Sequence, residues 1–333
     1  MKRLIRQAAF FLTLTLLAGT GCSRKTAAPP LVAAEAPASP AEDAAAVMQR
    51  ALEHRKAHRW SEALDDYETA KKLAPDDPEV HRGVKLFERL AKFLAEIREL
   101  DARIALAPDD DQTITDRALL FLRADDAELA LMDSQVAAEK APWAVRPKLF
   151  EALALVALGR ADECAPLGVD ARIHLNNLSP EFLETISRID SEISVERNNP
   201  DLYISRAWQL NETNQPQLAL ADAETALLFD ANSAAAHAER SYALTKLGRA
   251  DEAFDEIKRA TELDANLASA WQYRGELELA RNDFAAAIDS LSHALTIAPT
   301  FPALQKRELA YRQIGDAQKA DEDLRALQAL GAH

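Results

Sequence analysis

The sequence predicts an all-α protein, a solenoid of repeated helical hairpins, and its composition and its repeat period both support this fold class. Alanine and leucine dominate, whereas aromatic residues make up only 6% of the 333 residues and glycine occurs 9 times. Helices favour such a mixture, while sheets are richer in β-branched and aromatic residues. Alanines recur every 34 residues, at positions 219, 253 and 287. A period of this length indicates stacked supersecondary units.

Composition and motifs argue against several classes of protein. The net charge of −15 argues against nucleic-acid binding, which needs clustered lysine and arginine, and 2 cysteines cannot build a disulfide scaffold. The sequence has no Gly-rich phosphate loop, Gly-x-Ser-x-Gly elbow, HExxH or Cys-x-x-Cys motif. We therefore expect no enzyme, no cofactor and no metal. A metal site at His54 and His58, or a redox role for Cys164, is less expected than ordinary packing.

Residues 1–21 have the pattern of a signal peptide. Three basic side chains lie within the first six residues, and an apolar run follows from Ala8 to Ala18. That run is too short to cross a bilayer core of about 30 Å at about 1.5 Å per residue. We therefore exclude this segment from the folded domain.

The signal ends in Gly19, Thr20, Gly21 and Cys22, which together resemble the lipidation signal of bacterial lipoproteins. The resemblance implies that Cys22 carries lipid and becomes the mature N-terminus, and that more than one acyl chain anchors the protein stably. Ser23, where an aspartate would indicate the inner membrane, favours the outer membrane facing the periplasm. The alternative is an ordinary secretory signal with a chance cysteine.

Residues 22–42 form a linker in which four prolines stand among alanines. Proline disfavours a helix and favours extended chain of about 3.1 Å per residue, so twenty residues reach at most roughly 60 Å. The segment could tether a domain above the membrane, or it could be a leader without a tuned length.

Residues 268–299 form the clearest repeat, with two apolar blocks of helical spacing around a short polar turn. In this frame Trp271 is the fourth residue, Gly275 the eighth and Ala287 the twentieth. These positions resemble those of the tetratricopeptide repeat, whose small residues let two helices approach closely. The resemblance implies a right-handed superhelix of seven to eight helix-turn-helix hairpins.

The repeats divide the chain into a divergent N-terminal sub-array at 43–178 and a C-terminal array at 200–333. Within the first, residues 77–110 predict either a degenerate hairpin or one long helix, because no turn residue stands near the middle. Residues 179–199 predict an extra helix that begins after Ser179, followed by a break that could serve as a hinge between the two arrays.

Arginine occupies the seventh position of six repeats, and in five of them an acidic residue follows sixteen positions later. Equal distances from the turn place such a pair at the same height in an antiparallel hairpin, so we predict an ion pair within each repeat. The predicted pairs are Arg50 with Asp66, Arg117 with Asp133, Arg206 with Asp222, Arg240 with Glu256 and Arg307 with Asp323. Midway between the two positions lie residue types that tolerate the positive φ of a tight turn. These midpoints are His58, Asp125, Asn214, Gly248, Asn282 and Gly315.

The resemblance implies that the first helix of each repeat lines a concave groove that binds a protein partner. The residues at these positions in the C-terminal array are Ile204, Trp208, Asn211, Tyr242, Lys246, Gln272, Glu276 and Arg312. Trp208 and Tyr242 hold the same position in adjacent repeats, so we expect them to be neighbours and to anchor a peptide or helix. The alternative for Trp208 is a core position covered by the extra helix.

These observations predict a lipid-anchored adaptor of the cell envelope that binds a protein partner in its groove. The alternative is a scaffold that self-associates, as a homodimer, in an assembly process such as that of pili or secretins. Contact with the membrane is expected through the N-terminal lipid alone.

Overall fold

The computed structural model describes residues 40–330, and this range contains sixteen α-helices and no strand. The bounds of the first eight helices are α1 Pro40–Lys56, α2 Trp60–Leu73, α3 Pro78–Leu90, α4 Leu94–Leu106, α5 Asp111–Arg123, α6 Ala127–Lys140, α7 Arg146–Ala157 and α8 Pro180–Val195. Those of the last eight are α9 Pro200–Glu212, α10 Pro216–Phe229, α11 Ala234–Lys246, α12 Ala250–Leu263, α13 Ala268–Ala280, α14 Phe284–Ile297, α15 Phe301–Gln313 and α16 Ala317–Leu330.

Six pairs of consecutive helices pack as hairpins, namely α1 with α2, α5 with α6, α9 with α10, α11 with α12, α13 with α14 and α15 with α16. From α9 onward, the first helix of each hairpin also packs against the first helix of the next. The predicted all-α solenoid is confirmed, and so is the resemblance to the tetratricopeptide repeat at the level of the fold. These six hairpins are regular, and the remaining helices, α3 and α4, and α7 and α8, belong to the divergent units of the N-terminal half.

Small residues at two positions permit the close approach of the paired helices. Ala219, Ala253 and Ala287 are completely buried at the equivalent position of three second helices. A Cβ atom at Gly275 would lie 2.5 Å from the Cγ of Leu291 on the facing helix, so this position of α13 has no room for a side chain.

The hairpin turns have the backbone conformation that the sequence predicts. All six predicted midpoints have positive φ, with values of 56° at His58, 62° at Asp125, 59° at Asn214, 76° at Gly248, 61° at Asn282 and 79° at Gly315. Four of the six are not glycine, which is uncommon in this region because Cβ crowds the backbone.

Residues 78–106 follow neither predicted form completely. α3 continues through a short 3₁₀ turn at Ala91–Phe93 into α4, and the two helices do not fold back on each other. The segment is therefore a long helix with one interruption, at Phe93, where ψ rises to 5°. Without a residue that favours positive φ, the chain has no means of making the tight turn of a hairpin.

The repeat that begins at α7 lacks its second α-helix. Two 3₁₀ segments, Ala161–Leu167 and Leu175–Asn177, take its place. Pro166 lies within the first of them and has no N–H to continue a helix, and Gly168 then adopts a left-handed conformation with φ of 70°.

α8 begins where the sequence predicts. The Ser179 hydroxyl accepts a hydrogen bond from the backbone N–H of Phe182 at 3.1 Å, and Pro180 is the first helical residue. One face of α8 is buried, and the apolar core runs without a break from Ala51 on α1 to Ala243 on α11. The division into two sub-arrays at this helix stays a prediction.

The signal peptide, Cys22 and the linker up to residue 39 lie outside the described residues. α1 begins at Pro40, two residues before the predicted end of the linker, because proline is well tolerated in the first turn of a helix. No helix between residues 40 and 330 combines the length and the apolar character needed to cross a membrane.

Candidate binding surface

The two ends of each predicted arginine–acid pair are in contact. The shortest nitrogen–oxygen distances are 2.5 Å for Arg50–Asp66, 2.7 Å for Arg117–Asp133, 2.7 Å for Arg206–Asp222, 3.2 Å for Arg240–Glu256 and 2.6 Å for Arg307–Asp323. The remaining one of the six repeats, residues 268–299, has Ser290 in place of the acid. There Arg274 binds Glu278 of its own helix at 2.9 Å. Ser290 donates to the other oxygen of that carboxylate at 2.7 Å.

Three of these arginines also contact an acid that lies sixteen residues before them, on the preceding helix. The distances are 2.6 Å for Arg117–Asp101, 2.5 Å for Arg206–Asp190 and 3.8 Å for Arg240–Glu224. The sequence contains this second spacing, but a search within single repeats misses it. The arginines therefore join neighbouring repeats as well as the two helices of one hairpin.

Arg206 is the most completely enclosed of these arginines, with 2% of its surface exposed. Besides its two carboxylates it donates to the backbone carbonyl of Trp143 at 2.9 Å, and Asp190 in turn accepts from the backbone N–H of Val145 at 3.0 Å. Burial by itself would lower the pKa of Arg206, but Asp222 and Asp190 outweigh it and raise that pKa. The network ties α7, α8, α9 and α10 together.

The first helices α9, α11 and α13 form a continuous surface, called here the A-helix face. It carries Trp208 and Glu212 on α9, Tyr242 and Lys246 on α11, and Glu276 on α13. Trp208 is 47% exposed, so it is not a core residue covered by α8. An indole left half in water on a packed helix is available to a partner.

Tyr242 belongs to a rigid aromatic pair on this face. Its ring stacks on that of Tyr273, with centroids 4.4 Å apart and planes inclined by 13°. The expected neighbourhood of Tyr242 and Trp208 stays a prediction. The ammonium of Lys246 lies 5.0 Å from the centroid of the Tyr242 ring, within range of a cation–π interaction.

Glu239 lies beneath the A-helix face and connects its three helices. Its carboxylate accepts from the Asn211 amide at 2.8 Å and from the Tyr273 hydroxyl at 3.3 Å, and only 5% of the residue is exposed. Burial raises the pKa of Glu239 to about 7, although both hydrogen bonds favour its ionised form. Glu239 was not among the residues predicted for the site, yet its position three residues after Ala236 and four before Ala243 places it on the buried stripe of α11.

Four of the predicted groove residues have other roles. Asn211 is completely buried and holds Glu239, so it was wrongly assigned to the exposed surface. Ile204 is half-buried against the core cluster around Tyr203. Gln272 donates to Glu276 at 3.2 Å, and Arg312 forms a salt bridge with Glu308 on its own exposed helix face.

Within the described part of the chain, the carboxylates on and under the A-helix face lack the salt bridges that the acids of the arginine–acid pairs form. Glu212, Glu239 and Glu276 have no salt-bridge partner within 4.0 Å among residues 43–329, in contrast with the paired acids of the repeat seams. Glu276 is half-buried, and burial raises its pKa. The face therefore combines exposed aromatic surface with carboxylates that lack a close counter-ion.

A second concave site lies in the N-terminal half, between α5, α7 and α8. The cavity measures about 640 Å³ and has Leu119 and Leu183 in its wall. Two of its three arginines are paired: Arg146 binds Asp116 at 2.5 Å, and Arg188 binds Glu192 at 2.8 Å. The third, Arg123, also lies in the wall and forms no salt bridge among the described residues. Between residues 43 and 329 no exposed aromatic side chain lines the cavity, and this makes it a weaker candidate than the A-helix face.

The residues considered for metal or redox chemistry are engaged in packing and hydrogen bonding. His54 contacts Asp66 at 3.4 Å and His58 contacts Asp101 at 2.8 Å. Cys164 is completely buried, and burial raises the pKa of its thiol. Within the described range no group of three or more His, Cys, Asp or Glu side chains is placed to hold a metal ion.

No protein-family model matches the chain. No curated protein matches it either. Among solved structures, the crystal structure of MamA is 20% identical, covering 42% of this chain and 81% of that one with a TM-score of 0.34. YrrB, described as a TPR protein with an unusual peptide-binding site, is 20% identical over 63% of this chain and 97% of its own, with a TM-score of 0.31. A tetratricopeptide repeat protein from Parabacteroides merdae ATCC 43184 is 11% identical over 87% and 94%, with a TM-score of 0.38.

Proposed function

We propose that the chain is a protein-interaction module whose A-helix face binds a peptide or helix of a protein partner. The half-exposed Trp208 is the observation that carries the proposal, since large aromatic side chains exposed on rigid elements are the usual anchors of protein interfaces. The partly exposed Tyr242 adds a second apolar contact, and its stacking on the buried Tyr273 fixes its position before binding, which reduces the entropy lost on association.

We further propose that the module is an adaptor anchored in the cell envelope through lipid on Cys22. The signal-like segment at residues 1–21 and the proline-rich linker that follows support this location. Such an arrangement would confine the A-helix face to a zone near the membrane, where it could recruit a partner of an envelope assembly.

Site-specific photo-crosslinking tests the binding proposal in cells. We expect a p-benzoyl-phenylalanine residue in place of Trp208 to crosslink to another protein, whereas the same residue in place of Phe229 gives no such product. Phe229 is the matched control because it is a similarly exposed aromatic residue on the second helix of the same hairpin. Equal crosslinking at both positions, or none at position 208, would contradict the proposal.

Truncation of the anchors separates binding from folding. The Trp208→Ala, Tyr242→Ala double variant should lose the crosslink formed from a benzoyl-phenylalanine at position 246, since one anchor of this kind contributes about 2 kcal/mol or more, roughly thirtyfold in affinity. The melting temperature of Trp208→Ala should stay close to that of the wild type, because a buried tryptophan would contribute about 3–5 kcal/mol to stability and Trp208 is half-exposed.

Self-association is the second candidate function, and the last hairpin favours it. Leu309 on α15, Ile314 in the turn that follows and Leu324 on α16 expose apolar side chains. Terminal repeats generally have a polar outer surface instead. If this surface forms a homodimer, the Ile314→Asp variant will sediment as a monomer while the wild type sediments as a dimer. In that case a benzoyl-phenylalanine at position 314, and not at 208, will crosslink the chain to itself.

A further inference from the structure

The polar groups of the A-helix face that lack a charged partner within residues 43–329 are mainly hydrogen-bond acceptors. Glu212, Glu239 and Glu276 have no salt bridge among the described residues, and the Glu239 and Glu276 carboxylates receive only uncharged donors at 3.3 Å or less. Glu239 is buried beneath the face, whereas Glu212 and Glu276 lie on the face itself. A ligand that brings hydrogen-bond donors to these two carboxylates would therefore be favoured here.

The aromatic surface at the same place already attracts a cation. Lys246 extends its ammonium to 5.0 Å from the centroid of the Tyr242 ring and has no carboxylate within 4.0 Å among the described residues. The neighbouring carboxylates Glu276, Glu212 and Glu239 all act on Tyr242, whose pKa is raised to about 12, first by burial and then by these charges. The ring and the carboxylates therefore create one region of negative potential, and Lys246 occupies part of it. The charge of Lys306 on α15 acts on Glu276 as well as that of Lys246, yet burial still keeps the pKa of Glu276 raised.

We infer that the A-helix face recognises a cationic segment, a stretch of a protein partner that carries lysine or arginine side chains beside apolar ones. The inference rests on the proposed binding function and specifies the chemistry of the partner. The apolar side chains of the segment would cover Trp208 and the exposed part of Tyr242, while its ammonium or guanidinium groups would approach Glu276 and Glu212. Arginine and lysine are the side chains that combine ionic pairing with cation–π contact.

Lys246 then acts as an internal competitor for the incoming cation. Two variants that each remove one charge must therefore change the affinity for a cationic segment in opposite directions. Glu276→Gln should weaken binding of a cationic segment, and Lys246→Gln should strengthen it. For an anionic or acidic segment the signs would be reversed.

Three fluorescein-labelled twelve-residue peptides of the repeated form Lys-Leu-Ala, Gln-Leu-Ala and Glu-Leu-Ala serve as probes. Fluorescence anisotropy with the full-length protein at pH 8 and low salt should give affinities in the order Lys, Gln, Glu. We expect Glu276→Gln to weaken the Lys peptide about three- to tenfold and Lys246→Gln to tighten it about threefold, in the range of individual charge pairs at partly exposed sites. Both variants should leave the Gln peptide unchanged within twofold.

The matched control is Glu262→Gln on the outer surface of α12, where the carboxylate is 54% exposed and only 4.0 Å from Lys258. It removes the same charge from the molecule without touching the A-helix face, so its affinity for the Lys peptide should equal that of the wild type. An equal loss with Glu262→Gln would mean general attraction to an acidic protein and would overturn the inference. Tighter binding of the Glu peptide, or reversed signs for the two variants, would also overturn it.

Failure of the inference is distinguishable from failure of the binding proposal. If Trp208→Ala with Tyr242→Ala weakens every peptide while the charge variants have no effect or the wrong sign, the A-helix face binds but does not select cations. If the double variant weakens none of them, the face does not bind such segments and both ideas fall. Thermal melting of each variant verifies that the fold is intact.

Discussion

The buried carboxyl group of Glu239 holds three helices together, and its titration makes the stability of this packing depend on pH. Its side chain holds Asn211 of α9 and Tyr273 of α13 while it sits on α11, almost out of contact with water. Burial disfavours the charged form, and the two hydrogen-bond donors are too few to reverse this. The proton on Glu239 is therefore part of what stabilises the A-helix face.

The pKa of Glu239 predicts how stability depends on pH. The pKa rises from its ordinary value of 4.5 to about 7 on folding, so the folded state binds the proton more tightly than the unfolded state. The stabilisation from this group is fully present below about pH 4.5 and is lost as the pH rises through 7, with a total of about 3 kcal/mol. Glu239→Gln cannot ionise, so its stability relative to the wild type should increase between pH 5 and pH 8.

Melting temperatures of the two proteins across that pH range measure this difference. Glu262→Gln, which changes an exposed carboxylate, should differ from the wild type by a constant amount over the same range. A difference between Glu239→Gln and wild type that does not vary with pH would show that Glu239 is already ionised at pH 5.

Residue types predict local conformation better than they predict a site. The six turn midpoints were identifiable because positive φ depends only on the residue itself, its Cβ atom and its own backbone. The role of Glu239 was not identifiable in the same way, since it depends on Asn211 and Tyr273, which lie 28 and 34 residues away in the chain. Asn211 was misassigned for the same reason, because its burial is determined by the neighbouring helix.

At the scale of helices, the arginine at the seventh position of the repeat differs in burial and in partners from one repeat to another. Arg206 is enclosed by four helices, whereas the side chain of Arg240, at the equivalent position one repeat later, is 29% exposed. Arg240 also shares Glu256 with His237, which contacts that carboxylate at 2.7 Å. Loss of Arg240 therefore leaves Glu256 with His237 as a hydrogen-bonding partner.

This contrast predicts unequal costs for the same substitution. Arg206→Ala leaves Asp190 and Asp222 buried without their counter-ion and should destabilise the protein by about 3–5 kcal/mol. Arg240→Ala should cost about 1 kcal/mol or less, as is usual for a partly exposed pair. Urea unfolding of both variants, with Glu256→Ala completing a double-mutant cycle for Arg240, measures the two costs. Equal losses of stability for the two variants would mean that burial does not control the strength of these arginine–acid pairs.

The helices themselves were predictable where the repeat is regular. From α9 to α16 the small residues, turns and arginine positions recur at one period, so each repeat predicts the others. The 3₁₀ segments between residues 161 and 177 have no equivalent elsewhere in the chain, and periodicity could not predict them. The backbone conformation of this segment depends on Pro166 and Gly168, and its position depends on burial of Cys164 against α7.

At the scale of the molecule, one apolar core joins the irregular N-terminal repeats to the first of the regular ones, as far as Ala243 on α11, and a separate cluster continues to Leu277 on α13. Each helical pair contacts mainly its neighbours, as in other repeat arrays, and the bridging arginines reinforce contact from one pair to the next. The A-helix face is thus held in a single geometry by the array around it, which is the condition for a preorganised binding surface.

The last prediction concerns where this surface is located. If Cys22 is the lipidated residue, the fold that begins at Pro40 is separated from the anchor by residues 23–39, and the protein should fractionate with membranes although no described helix could span one. Cys22→Ser should remove palmitate labelling and release the protein into the soluble fraction, because attachment then has no acyl chains to sustain it. Cys164→Ser is the matched control: that thiol is completely buried against the Ala152 carbonyl, so labelling should not change. Continued labelling and membrane fractionation of Cys22→Ser would contradict the anchor, and the A-helix face would then meet its partner in solution.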